Sequence, residues 1–233
     1  MSWIVLLLII IAVLALLGWF LKKIGGMIAM IISLALLLVV VVFGIWIGMD
    51  AYDLNKHFYK DNKLFILDID AKPCGAFVLG ADEFPGIITD LNKIREKYPD
   101  LSALKGNNYK VIVLKWPVVE NDVEIMGFTA SKSEIKEILL DENPKQRFAY
   151  FLLKGKGAAA LAALMATFDA VYPINDAFSS SVFALLAVKP LQDRDLMYKG
   201  IKDGNVIIYP ETATFKVMKA LPLGVTKTLV PAK

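Results

Sequence analysis

Two uninterrupted apolar runs open the chain, and no later stretch matches them. Residues 3–21 and 27–49 contain no charged side chain. At 1.5 Å per residue these 19 and 23 residues make helices of about 28 and 34 Å, long enough to cross a hydrocarbon core. Between them stands Lys22-Lys23-Ile24-Gly25-Gly26, where the glycines permit a reversal and the lysines are held at the headgroups. The pattern predicts a transmembrane helical hairpin over residues 1–49. One continuous helix would instead bury two lysines at roughly 2.5–3.5 kcal/mol each.

Trp3, Trp19 and Trp46 fall near the ends of the two spans, and with Lys22 and Lys23 they are the expected interface anchors. No basic residue precedes the first run, and Gly18-Trp19-Phe20-Leu21 offers no small-x-small site, so signal-peptide cleavage is not expected. With nothing basic to hold residue 1 inside, the Lys-Lys turn is expected in the cytoplasm, and both termini and the remainder of the chain outside. Gly44 and Gly48 form a Gly-x-x-x-Gly pair on one helix face. Such a face suits a second copy, another membrane protein, or the first span of the same hairpin.

The periodicity changes at residue 50. Residues 50–62 are polar with scattered aromatics and read as a juxtamembrane linker or short helix. Residues 63–70 and 74–79 are β-rich runs about Ala71-Lys72-Pro73, a predicted hairpin. Ile87, Leu91, Ile94 and Tyr98 recur at helical spacing, predicting an amphipathic helix over 87–98. Residues 109–119 and 123–129 read as a second antiparallel hairpin. Ser131-x-x-Glu134 has the spacing of a capping box and predicts a helix to about Asp141, and Pro144 opens another. Leu161, Leu164, Met165 and Phe168 form a ridge on an alanine-rich helix over 157–172, with 176–188 as its partner in a buried helical hairpin. Residues 205–209 and 213–221 read as late strands. The order predicts an α+β domain over 63–233 with a mainly antiparallel sheet.

Composition agrees with a membrane segment joined to an ordinary domain. The chain is 57% hydrophobic with a mean hydropathy of +0.56, above the usual soluble range. Without Lys22 and Lys23, 24 basic residues face 23 acidic ones, so no positive field for nucleic acid exists. One cysteine, Cys74, and one histidine, His57, leave no internal disulfide and no structural zinc site. Neither a metal nor a cofactor is expected.

Asp68-Ile69-Asp70, after the apolar run 64–67, is the most suggestive chemical pattern, because paired carboxylates at a strand end can hold Mg²⁺ and present a nucleophile beside an acid/base. It resembles the first motif of the haloacid-dehalogenase-like phosphatases. That resemblance implies Asp68 as phosphate acceptor, Asp70 as acid/base and Thr129, after Ile125-Met126-Gly127-Phe128, as the phosphate-binding hydroxyl. It covers only these short stretches. Lys72 stands where the family has threonine, and only Asp193 and Asp195 offer a distal acidic pair. An Asp-rich hairpin turn accounts for the same residues, and a metal-dependent glycosyltransferase would also use an Asp-x-Asp.

Other patterns are weaker. His57 and Cys74 lack a framing motif, Gly155-Lys156-Gly157 lacks the rest of a phosphate loop, and Ser179-Ser180-Ser181 falls in a predicted helix without a nucleophile elbow. The expectation is a membrane-anchored binding or scaffold protein, presenting an α+β domain at the bilayer surface to a protein or lipid partner. The rival class is a membrane-tethered, metal-dependent hydrolase using Asp68 and Asp70.

Overall fold

The computed structural model describes residues 12–16, 18–19, 27–58, 60–81, 85–119, 123–125, 128–153 and 158–221. It is a mixed α+β protein divided into two units, Met1–Phe58 with Glu211–Lys233, and Tyr59–Pro210.

In the first unit the second apolar run is helical. Helix α1, Met27–His57, has 31 residues and measures about 46 Å at 1.5 Å per residue. It runs eight residues past the predicted end of the span, so most of the predicted linker is helix; Asp53 and His57, four apart and 3.7 Å from each other, face one another on that extension. Of the first predicted span only 12–16 and 18–19 are described, as helix. Trp3, Lys22, Lys23 and the Gly-Gly turn lie outside the described residues, and a two-helix hairpin is therefore not part of the described fold.

The second unit is built on a five-stranded sheet. Its strands are β1 Lys63–Ile69, β2 Lys72–Leu79, β3 Gly86–Ile87, β4 Lys110–Lys115 and β7 Val206–Tyr209, in the order β3-β2-β1-β4-β7. Only the β1–β4 pair is parallel, with Lys63 opposite Lys110 and Leu67 opposite Leu114; the other pairs are antiparallel. All seven residues of β1 are buried, as a central strand covered on both faces requires.

One sheet face carries Leu64, Ile66, Ala76, Val111 and Val113. It packs on Leu91, on Ile94 of α2 (Asn92–Lys97) and on Leu104 of α3 (Leu101–Lys105). On the other face Phe65 stacks on Phe77 at 4.9 Å, and Phe77 meets Phe183 at 5.0 Å. Five further helices complete the unit: α4 Lys132–Leu140, α5 Pro144–Leu153, α6 Ala158–Val171, α7 Asn175–Gln192 and α8 Arg194–Lys202. The capping box at α4 forms as expected, with Ser131 Oγ accepting the Glu134 N–H at 3.3 Å and Glu134 Oε2 accepting the Ser131 N–H at 2.8 Å.

Five expectations change, each for a local reason. The β1–β2 turn is Asp70-Ala71, both with left-handed φ of 54° and 63°, the conformation of a two-residue hairpin loop. Pro73 lies within β2, opposite Asp68, where the register shifts. The helix expected over 87–98 begins only at Asn92 and ends before Pro99; Asp100 then caps α3, its Oδ1 accepting the N–H groups of Ser102 and Ala103. Strand β4 does not pair with 123–129. Trp116-Pro117-Val118 turns into a 3-10 helix, and β4, an apolar run suited to burial on both sides, pairs with β1 and β7 instead.

Residues Val123–Ile125 and Phe128–Ala130 form their own hairpin, β5–β6. Helices α6 and α7 meet at 83° rather than folding back as a hairpin, and touch where Phe168 and Tyr172 contact Phe178. Finally, 213–221 is a helix, α9 Ala213–Ala220, in the first unit. Its Lys216, Lys219 and Ala220 are exposed, while Ala213 and Phe215 are buried.

Helix α7 lies close against the edge of β2. Ser180 Oγ accepts the Ala76 N–H at 3.2 Å, supplying an acceptor that the sheet does not. A Cβ at Gly75 would stand 2.8 Å from Phe183 Cβ and 3.0 Å from the Ser179 carbonyl oxygen, so the approach depends on glycine. Gly75→Ala is expected to lower stability by about 1–3 kcal/mol, read as a drop in melting temperature of the detergent-solubilised protein.

Candidate functional site

The helix with the most unusual surroundings is α1. Ile31, Leu34, Leu38, Val39, Val42 and Ile45 are all exposed, and 18 residues within its Ile31–Leu54 stretch have a mean hydropathy of 2.9, none of them buried. Trp46 is exposed with its ring 5.8 Å from Phe43. Among the described residues, nothing stands within 4 Å of a Cβ placed at Gly44 or Gly48. Trp19 is helical and exposed.

The carboxylates Asp68 and Asp70 diverge. Asp68, at the end of β1, is 5% exposed, and its Oδ2 accepts the Tyr98 hydroxyl at 2.6 Å. Its Oδ1 has no hydrogen-bond partner among the described residues. Asp70, on the left-handed turn, is turned to solvent with its side chain 64% exposed and pairs with Lys136 of α4 at 2.9 Å. Thr129 is exposed on β6, in the separate two-stranded sheet. Asp193 caps α9's predecessor α8, accepting from the N–H groups of Asp195 and Leu196. Among the described residues no three His, Cys, Asp or Glu side chains gather as a metal site.

Around Asp68 the sheet end collects polar groups that the sequence reading left apart. Cys74 is buried, its Sγ donating to the Lys72 carbonyl at 3.4 Å. Burial pushes the thiol up to about 11; Asp68 adds to the rise, while Arg95 and Lys72 oppose it. Burial, then the bond to Asp68, holds the Tyr98 phenol well above its ordinary value. Arg95 Nη2 pairs with Asp176 Oδ1 at 2.8 Å, and Asp176 Oδ2 accepts the Leu91 N–H at 3.0 Å. The cluster ties α2 and α7 to the sheet. Tyr98 escaped notice because, as the last residue of an apolar helical period, it read as core.

His57 sits on α1 with Asp53, and Ser179 and Ser180 are buried on α7, the latter holding the β2 edge. Gly155-Lys156-Gly157 lies outside the described residues. A groove of about 470 Å³ lies between α5, α6 and α7, lined by Lys145, Gln146, Met165, Asp169 and Ile174. Lys145, 7% exposed, is closed by Asp169 and by the Tyr172 carbonyl at 3.0 Å, so its charge is already matched.

Fold and site together define a class: a mixed α+β protein with one described helix long and apolar enough to cross a membrane. No protein-family model, no curated protein and no solved structure matches the chain.

Two outcomes test the Asp68 cluster. Tyr98→Phe leaves the buried carboxyl without its donor and is expected to cost about 1–3 kcal/mol in urea unfolding. The Cys74 thiol has the opposite kind of signature. Below pH 9.0, the ordinary value, it is protonated in folded and unfolded chains alike and its contribution is fully present. As pH rises toward about 11 the unfolded chain ionises first and that contribution is lost. The melting temperature of the native chain should therefore fall more steeply across this window than that of Cys74→Ala.

Proposed function

We propose that this chain is a membrane-anchored binding or scaffold protein. The observation that supports the reading is α1, whose apolar stretch within Ile31–Leu54 has no buried residue. An apolar helix of a soluble core is covered by its own protein; one whose large apolar side chains are mostly exposed is suited to lipid. In this reading residues 3–21 form the first span and Lys22 and Lys23 hold the turn in the cytoplasm. The α+β domain then stands on the outer side, presented to a protein or lipid partner. Gly44 and Gly48, with open space above them, are the contact face for a second copy or another membrane protein.

Nothing in the geometry favours the hydrolase. Asp68 is engaged by Tyr98 and Asp70 by Lys136, and phosphoryl chemistry needs the two carboxylates on one substrate.

The chain should remain in the membrane pellet after alkaline carbonate extraction, and release into the supernatant would sink the anchoring. Asp61→Cys and Lys233→Cys, each in a Cys74→Ser background, should both react with an impermeant thiol reagent on intact cells. Reaction only after lysis would move the domain to the cytoplasmic side.

A further inference from the structure

Asp50 is the first charged residue after the apolar run of α1. On a helix that crosses a bilayer, this position lies where hydrocarbon gives way to headgroups, and an ionised carboxylate there needs a partner. It has one: Asp50 Oδ2 accepts the Thr214 N–H at 2.7 Å. The free amides and positive end of α9 are thus set against the carboxylate. Both groups belong to the first unit, so wherever α1 meets the membrane surface, α9 is held there too.

The composition of α9 and of the sequence beyond it fits that place. From Thr212 to Lys233 there are four lysines and no acidic residue. Ala213 and Phe215 are buried, Val217, Met218 and Leu221 are half-buried, and Lys216, Lys219 and Ala220 are exposed. Lys219 pairs with Glu211 at 2.5 Å. Lys216 has no ion pair among the described residues. A short helix with apolar side chains at its flank and one exposed lysine outside the described ion pairs suits the boundary of an anionic leaflet.

We propose that residues 212–221 are an interfacial lipid-binding element: α9 lies along the headgroup layer at the end of α1, and Lys216 binds the phosphate of an anionic phospholipid. This deepens the anchoring reading and rests on it. Asp50 positions the element by fixing the start of α9, and Lys216 makes the headgroup contact.

The full chain, reconstituted in phosphatidylcholine vesicles with and without phosphatidylglycerol, tests this with two fluorophore positions in a Cys74→Ala background. A probe at Ala220→Cys should be quenched by lipids carrying a nitroxide near the headgroup, and one at Val39→Cys by lipids carrying it deep in the acyl chain. If the Val39 probe is not quenched, the anchoring reading falls and the proposal with it. If Val39 is quenched but the Ala220 probe responds only to an aqueous quencher, the proposal alone falls. Native mass spectrometry of the same protein supplies the headgroup test. Lys216→Ala should lower retention of phosphatidylglycerol over phosphatidylcholine about fivefold, with Lys216→Arg restoring it; an unchanged preference in Lys216→Ala would also overturn the assignment.

Discussion

Strand β1 is the constraint on which the second unit depends. It is paired on both edges, antiparallel to β2 and parallel to β4, and all of its residues are buried. A strand in that position can have no polar face, so the sheet must be covered on both sides. Helices α2 and α3 cover one side with Leu91, Ile94 and Leu104, and α7 brings Phe183 to the other. The same burial traps Asp68. Once the hairpin turn is placed at Asp70-Ala71, period-2 alternation sends Asp68 to the face shared with Leu64 and Ile66, and Tyr98 becomes its donor. Asp68, the first carboxylate of the Asp-x-Asp pattern, stands at the polar end of a core strand.

Both connections of that unit lie at the opposite end of the sheet. The Tyr109 N–H donates to the Asn62 carbonyl at 2.7 Å, and Lys110 Nζ to the Pro210 carbonyl at 2.9 Å. Lys63, opposite Lys110 in the ladder, donates to the Asp61 carbonyl at 2.6 Å. These two lysines are buried to 3% and 2% exposure. Burial lowers the affinity of Lys63 for its proton, and Asp61 counters it. Ammonium groups matched to backbone carbonyls can stay buried at a strand start, and here they clasp the incoming and outgoing segments together. The chain therefore arrives at the unit and leaves it at one end, while Asp68, Cys74 and Tyr98 sit at the other.

Legibility followed the range of the forces involved. The capping box at Ser131, the helix opened by Pro144, the inward ridge of Leu161, Leu164, Met165 and Phe168 and the mainly antiparallel sheet were readable because each follows from local spacing or overall order. The partner of β4 was not. An apolar strand followed by a turn looks like the first arm of a hairpin, and only the distant pairing with β1 shows otherwise. Residues 213–221 misled for a related reason: Ala213, Phe215 and Val217 alternate as in a strand, whereas the helix is set by the long-range bond from Thr214 to Asp50. In the candidate sites, residue types were visible but not convergence. Asp68 and Asp70 stand two apart in sequence, and a left-handed turn sends them to different neighbours.

Three apolar helices show why composition alone does not assign a membrane role. Helix α7 is apolar because it is core: Phe178, Val182 and Phe183 are buried and Ser180 is bonded to the sheet, so the bent pair α6–α7 cannot leave the unit as one span. Helix α6 is nearly as apolar, yet its 14 residues give only about 21 Å. Its two polar side chains are satisfied within the fold, Thr167 by the Ala163 carbonyl at 3.1 Å and Asp169 by Lys145. Helix α1 has neither explanation. It is long, largely exposed and free of charge until Asp50, and that first carboxylate accepts the Thr214 N–H of α9. That bond sets a carboxylate on the first amides of a helix, as Asp100 and Asp193 do for α3 and α8, and here it joins positions 164 residues apart.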